Sequence, residues 1–214
     1  MSAARIFFVD AQRNLTQAVE ADEPSRHSQE DLDDLLEHTS APLSVYRPGG
    51  RAGRAMMAGI RAPSGDLTAV ELTYLSPNGL VATGLRVPRK TVGRVPPGSA
   101  VRLCAPAARM LVGEGVVTTL SAMMRFGLPG WALLSAGNLS RWRAPDSVAA
   151  VVIAGDRGAA GERAAMRLAR RLEDDGVKAT LAFPPAPWGD WNEVLQGDQA
   201  EGKEGNGRAP ERRG

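Results

Sequence analysis

Cysteine and histidine are nearly missing from this chain: its 214 residues include one cysteine, Cys104, and two histidines, His27 and His38. A single thiol excludes an internal disulfide, and these three side chains cannot assemble a four-ligand zinc module. Aromatic residues make up only 5%, so Val, Leu, Ala and Met must form most of any core. No apolar run approaches the ~20 residues of a membrane-spanning helix, and the N-terminus lacks the basic-then-apolar pattern of a signal peptide. The expectation is a cytoplasmic protein with no membrane partner. Two motif readings also fail. No G-x-x-x-x-G-K-[ST] run exists, which excludes a P-loop, and Gly113-Glu-Gly115-Val-Val-Thr118 lacks the third glycine of a dinucleotide fingerprint. Ser135 and Ser140 have no credible histidine partner, so serine hydrolysis is unsupported.

What is present is a strong charge asymmetry beneath a net charge of +2. Residues 1–40 carry 3 basic and 9 acidic side chains, whereas residues 41–112 carry 10 basic and 2 acidic. Residues 113–196 balance at 9 and 9. A basic segment of that density suits a polyanion such as nucleic acid or a nucleotide. Only 3 of the 26 basic residues are lysine, so arginine supplies nearly all of this charge.

Hydropathy and turn residues divide the chain into four parts. Residues 1–55 are expected to form an accessory arm. It has a short strand Ile6-Phe-Phe-Val9 and an acidic helix around Gln29 to His38, striped by Leu32, Leu35 and Leu36. Residues 56–107 read as a small basic, β-rich lobe in which Met56 to Ile60 and Leu67 to Leu75 flank the turn Pro63-Ser-Gly65-Asp66. Residues 108–196 alternate in type. Strands are expected at Arg109–Gly113, Trp131–Ser135, Val148–Ala154 and Lys178–Phe183. Helices are expected at Val116–Phe126, Asn138–Arg143 and Ala160–Asp175. The first helix would turn Val116, Val117, Leu120, Met123 and Met124 inward, and the last Ala165, Leu168, Ala169 and Leu172. Such alternation predicts an α/β fold with a parallel sheet flanked by helices. Residues 197–214 lack periodicity and are expected to be a disordered tail.

Two carboxylates then stand out. Glu114 follows the apolar run ending at Gly113, Asp156 follows the one ending at Ala154, and each precedes a helical pattern. Strand-to-helix turns of successive parallel strands emerge on one edge of the sheet, where open α/β sheets bind ligands. Two carboxylates in one crevice repel unless a cation sits between them, and a divalent ion that prefers oxygen is the usual answer.

Taken together, Gly113-Glu114-Gly115, the run Asp156-Arg-Gly-Ala-Ala-Gly161-Glu-Arg-Ala-Ala165 and the final Asp190-Trp-Asn-Glu193 resemble the Toprim domain. This is the α/β module of DnaG-type primases, topoisomerases and some nucleases. The A-G-x-x-A-A continuation and the closing D-x-N-[DE]-x-L are similar to the primase branch, especially phage- and plasmid-type primase-like proteins. The preceding lobe, with Ile60-Arg to Gly65-Asp-Leu67 and Pro88-Arg-Lys90, is similar to the amino-terminal half of a primase core. The resemblance implies that Glu114 and Asp156 are catalytic and hold Mg2+ or Mn2+, with Glu193 or Asp190 as the later metal acid. Arg89, Lys90, Arg94 and Arg157 become candidates for phosphate contact. Trp188 and Trp191 either stack on bases or close the core.

Departures from the family pattern bear on activity. The second acid of the Asp-x-Asp motif is replaced by Gly158, and no acid follows Glu114 among Val116 to Thr119, so metal binding is expected to be weak. The implied function is magnesium-dependent nucleotidyl transfer, the synthesis of an RNA primer on single-stranded DNA from nucleoside triphosphates. A replicative helicase or other replication protein would be the partner. The alternatives are a degenerate Toprim protein that binds nucleic acid or a replication partner without turnover, and a Toprim nuclease.

Overall fold

The structure is a computed structural model that describes residues 20–21, 43–48, 54–76 and 86–205. The expected strand at Ile6–Val9 and the helix from Gln29 to His38 lie outside the described residues. The chain forms two compact units: Met1–Ala105 with Trp131–Leu133, and Pro106–Gly130 with Leu134–Gly214. Among the described residues, no helix is long and apolar enough to cross a membrane.

The first unit is built on a five-stranded sheet in the order β1-β2-β3-β4-β5. Its strands are β1 (Glu20–Ala21), β2 (Leu43–Pro48), β3 (Ala55–Arg61), β4 (Leu67–Tyr74) and β5 (Arg89–Gly93). All pairs are antiparallel except β1 with β2. The expected hairpin is present, closed at Pro63–Asp66, where Gly65 takes a φ of 101°. Residues 43–48 pair with β3 in this same sheet, so the accessory arm expected over residues 1–55 gives up its last stretch to the β-rich lobe. Alternation along the strands gathers Met57, Val70, Leu72 and Val92 into one buried cluster. A short strand β6 (Val101–Arg102) pairs antiparallel with β8 (Gly130–Ala132), which is why Trp131–Leu133 belongs to this unit.

The second unit holds the parallel strands β7 (Arg109–Gly113), β9 (Ala150–Ala154) and β10 (Lys178–Ala182), with β9 in the middle. Met110, Leu111, Val112, Val151, Val152 and Ile153 are almost fully buried, as expected of strands covered on both faces. Helices α1 (Val116–Phe126), α2 (Ala136–Leu139), α3 (Ala159–Asp174) and α4 (Trp191–Gly205) complete it. The expected face of α3 is the buried one: Ala165, Leu168, Ala169 and Leu172 are at most 8% exposed. Each fully buried leucine contributes about 2 kcal/mol.

Helix α1 departs from expectation. Its buried residues are Val116, Thr118, Thr119, Ser121 and Ala122, while Met124 is 41% exposed. Small side chains win the inner face because they let the helix approach closely. A Cβ on Gly113 would lie 2.6 Å from the Thr119 Oγ1. The cost of burying hydroxyls is offset inside the helix, where Thr119 donates to the Gly115 carbonyl (2.7 Å) and Ser121 to that of Val117 (3.1 Å). Helix α4 also runs past Gln196 to Gly205, further than the pattern indicated. Its first turn is pinned by buried Trp191 and Val194, and the helix-favouring Glu, Gln and Ala residues that follow propagate it at little cost.

Candidate active site

The register fixes the site. Gly113 pairs with Ala154, and Ala154 with Ala182, so β7, β9 and β10 end level with one another. Glu114 and the Gly155–Asp156 pair therefore leave the sheet at the same carboxyl edge, as the parallel alternation predicted. Neighbouring strands are about 4.8 Å apart, so the two turns are adjacent.

Glu114 is half-buried, and its main-chain carbonyl accepts a hydrogen bond from Leu134 N–H at 2.7 Å. The turn is tight on both sides: Gly113 has no room for a side chain, and the Thr119 hydroxyl ties down the Gly115 carbonyl. Gly115 caps α1 without a side-chain hydrogen bond, and the first turn carries no acid. The first-turn N–H groups of α1, which a helix leaves without intrahelical partners, follow directly after Glu114 in the chain.

Asp156 is held by its neighbours' backbone. Gly155 N–H donates to the Ala182 carbonyl (2.9 Å), and Arg157 N–H to that of Gly189 (2.8 Å). A side chain at Gly155 would collide with the Phe183 ring, and one at Gly161 would lie 2.9 Å from the Asp156 carbonyl oxygen. Arg157, expected to reach phosphate, is a clamp in this structure. Its Nε donates to the Pro184 carbonyl (2.9 Å), its guanidinium lies 5.5 Å from the centre of the Phe183 ring, and it is 3.8 Å from Glu162. Glu162 also accepts from Gly158 N–H at 3.4 Å, at the start of α3. Gly158 itself sits at φ 115°, ψ 149°, a conformation reserved for glycine.

Asp190 and Glu193 form a reciprocal helix cap. Asp190 Oδ1 accepts from Glu193 N–H at 2.8 Å, and Glu193 Oε2 accepts from Gly189 N–H at 2.6 Å. The tryptophans close the core. Trp191 is 7% exposed and meets Phe126 edge to face at 5.0 Å, and Trp188 packs against the cluster of Leu111, Val152 and Val194. Among the described residues, no three His, Cys, Asp or Glu side chains gather to hold a metal ion. Two hard carboxylates at one edge nonetheless fit magnesium, which takes one or two carboxylates and fills its shell with water and phosphate oxygens.

In the first unit, Arg89 lies opposite Thr73 and Lys90 opposite Leu72, so these consecutive residues point to opposite faces of the sheet. They do not form one basic surface. Arg89 shares its face with Glu71, whose carboxyl is pushed above its usual range by burial and partly restored by the Arg89 charge. Arg94 is exposed beyond the strand. Thr119 and Glu162 escaped the sequence reading, although an acid four residues after a glycine stop is a recognisable helix-start signal.

The comparisons with known proteins agree with this geometry. Residues 109–202 match the family model of the Toprim domain, and residues 11–103 match one described as Domain of unknown function (DUF7146). No curated protein matches the chain in sequence. Among solved structures, the primase fragment of the bacteriophage T7 primase-helicase protein is similar, with a TM-score of 0.52 at 17% identity. That match covers 76% of this chain and 65% of that one. The DnaG catalytic core gives a TM-score of 0.52 at 15% identity, covering 95% and 71% of the two chains. The DnaG primase catalytic domain bound to ssDNA gives 0.51 at 16% identity, covering 83% and 57%. The chain thus spans about two thirds of the T7 fragment. The parallel sheet and its carboxylate edge define a Toprim fold with an antiparallel β lobe before it. Residues 109–202 thus form a Toprim domain, and the chain shares its fold with these primase fragments.

Proposed function

We propose that this protein carries out magnesium-dependent nucleotidyl transfer, joining nucleoside triphosphates into a short RNA primer on single-stranded DNA during phage- or plasmid-type replication in the cytoplasm. The observation that supports this most is the level ending of β7 and β9, which brings the turns of Glu114 and Asp156 to one edge. These two carboxylates would hold the ion, with manganese as a substitute. When bound, magnesium neutralises charge on the triphosphate. The chain's own residues supply position. Gly113 and Thr119 fix the Glu114 turn, and the Arg157 clamp fixes Asp156 against residues 182–190. The new bond joins the 3′ hydroxyl oxygen to the α-phosphorus, and pyrophosphate leaves. The basic residues of the 41–112 segment, including Lys90 and Arg94, would contact template or nucleotide, and a replicative helicase is the expected protein partner.

A second reading, binding without turnover, is favoured by Gly158, which supplies no carboxylate where the resembling primases have one. Primer synthesis from labelled nucleotides on single-stranded DNA, with magnesium or manganese, separates the two. Labelled product that falls on the order of 100-fold in Glu114→Gln and Asp156→Asn supports the enzyme. DNA binding without product supports the second reading, and shortened DNA identifies a nuclease. Product insensitive to both substitutions would refute the site.

A further inference from the structure

Helix α3 carries a feature that neither packing nor the metal edge uses. Its inward face is Ala164, Ala165, Leu168, Ala169 and Leu172. On the opposite side Arg163, Arg167 and Arg170 are exposed at successive turns, with Met166 among them at 40% exposure. Among the described residues, none of the three arginines takes part in an ion pair. Among the other charged groups nearby, Arg171 donates to the carbonyls of Ser140 and Trp142, Arg143 pairs with Asp175 at 3.0 Å, and Glu162 faces Arg157, while Asp174 closes the stripe one turn beyond Arg170.

The helix ends carry the ordinary charge order, and the arginine stripe lies between them. A helix is stabilised by acids in its first turns and bases in its last. Here Glu162 stands in the first turn and Arg171 in the last, while Arg163, Arg167 and Arg170 line the exposed side. Three like charges in a row add mutual repulsion. Like charges repeated along a face that the fold leaves exposed are best relieved by an anionic partner.

We propose that this face of α3 is a docking surface for the phosphate backbone of a nucleic-acid strand, separate from the carboxylate edge. The spacing fits: the stripe runs seven residues, about 10 Å at 1.5 Å per residue. Within a duplex each strand offers one phosphate per ~3.4 Å of axis, about three over that length, and a more extended single strand offers about two to three. Arginine is suited to the task, since its planar fork grips phosphate oxygens in pairs. Exposed Met166 gives the stripe an apolar contact for sugar or base.

The proposal rests on nucleic acid being the partner, as in the reading above, but its test needs no turnover. Fluorescence anisotropy of a labelled single-stranded oligonucleotide, without divalent ions, is measured on the full chain at several salt concentrations. Arg163→Gln/Arg167→Gln/Arg170→Gln should weaken binding about tenfold or more at low salt. It should also flatten the log–log salt slope by about 2, as expected for roughly three phosphates on a single strand. Arg125→Gln/Arg141→Gln/Arg143→Gln removes the same charge elsewhere in the domain and should leave the slope close to that of the parent. The matching triple lysine variant should keep most of the affinity. Equal loss in both glutamine variants would mean a net-charge effect alone and overturn the proposal. Competition by polyglutamate as strong as by DNA, charge for charge, would make the face a surface for acidic polypeptide and also overturn it. A parent that binds DNA through α3 yet makes no primer would leave this surface standing while the enzyme reading fell.

Discussion

Gly158→Asp would restore the side chain that the Asp-x-Asp motif carries two residues after Asp156, and the structure predicts that it fails. The residue has φ 115° and ψ 149°, where any Cβ is strained. A Cβ there would meet nothing within 4 Å, so crowding adds nothing and the whole cost is backbone. Placing a non-glycine residue in such a conformation costs about 1–3 kcal/mol. In a chain of this size each kcal/mol lowers Tm by about 2–4 °C, so a drop of roughly 4–8 °C is expected at the middle of that range. Gly158→Ala should fall equally, because the strain lies in the main chain and not in the added charge. Thermal unfolding followed by circular dichroism, beside calorimetric magnesium titration of both variants, tests this. Gly158→Asp that unfolds within 1 °C of the parent while binding magnesium more tightly than Gly158→Ala would refute the reasoning. The glycine would then be a lost ligand and not a conformational requirement.

Two further outcomes follow from the site and its surroundings. Asp190→Ala removes the cap of α4 and should cost about 0.5–2 kcal/mol of stability with little change in magnesium affinity. A large loss of affinity at unchanged Tm would instead make Asp190 a metal ligand. Glu71 has its pKa raised by burial, so the folded state binds its proton more readily than the unfolded chain. Its contribution to stability therefore declines as pH climbs from the ordinary carboxylate range through the raised value. Glu71→Gln should unfold at higher temperature than the parent near neutral pH, and the gap should close below the ordinary carboxylate range. A gap that stays constant with pH would show that Glu71 does not titrate in that window.

The carboxylate edge was legible because it follows from local facts that sum without ambiguity. Apolar β-branched runs such as Val151-Val-Ile153 make strands, glycines stop them, and parallel strands must end on one side. Composition by itself removed zinc modules and disulfides, and motif order pointed to the Toprim family before any coordinates. The roles of single side chains were not legible in the same way. Whether Asp190 binds metal or caps α4 depends on which N–H lies 2.8 Å from it, and Asp-Trp-Asn-Glu allows both. Arg157 reads as a phosphate contact until residues 183–184, distant in sequence, bring a ring and a carbonyl to it. Arg89 and Lys90 look like one basic patch until strand register sends them to opposite faces. The buried face of α1 went to threonine and serine over Met124, because close approach to Gly113 outweighs hydropathy when the hydroxyls bond within the helix. The sequence thus determined the fold class and the position of the carboxylates, which depend on periodicity and connectivity. Tertiary structure decided which of the charged residues remain free to do chemistry, because that depends on dihedral angles and on partners far along the chain.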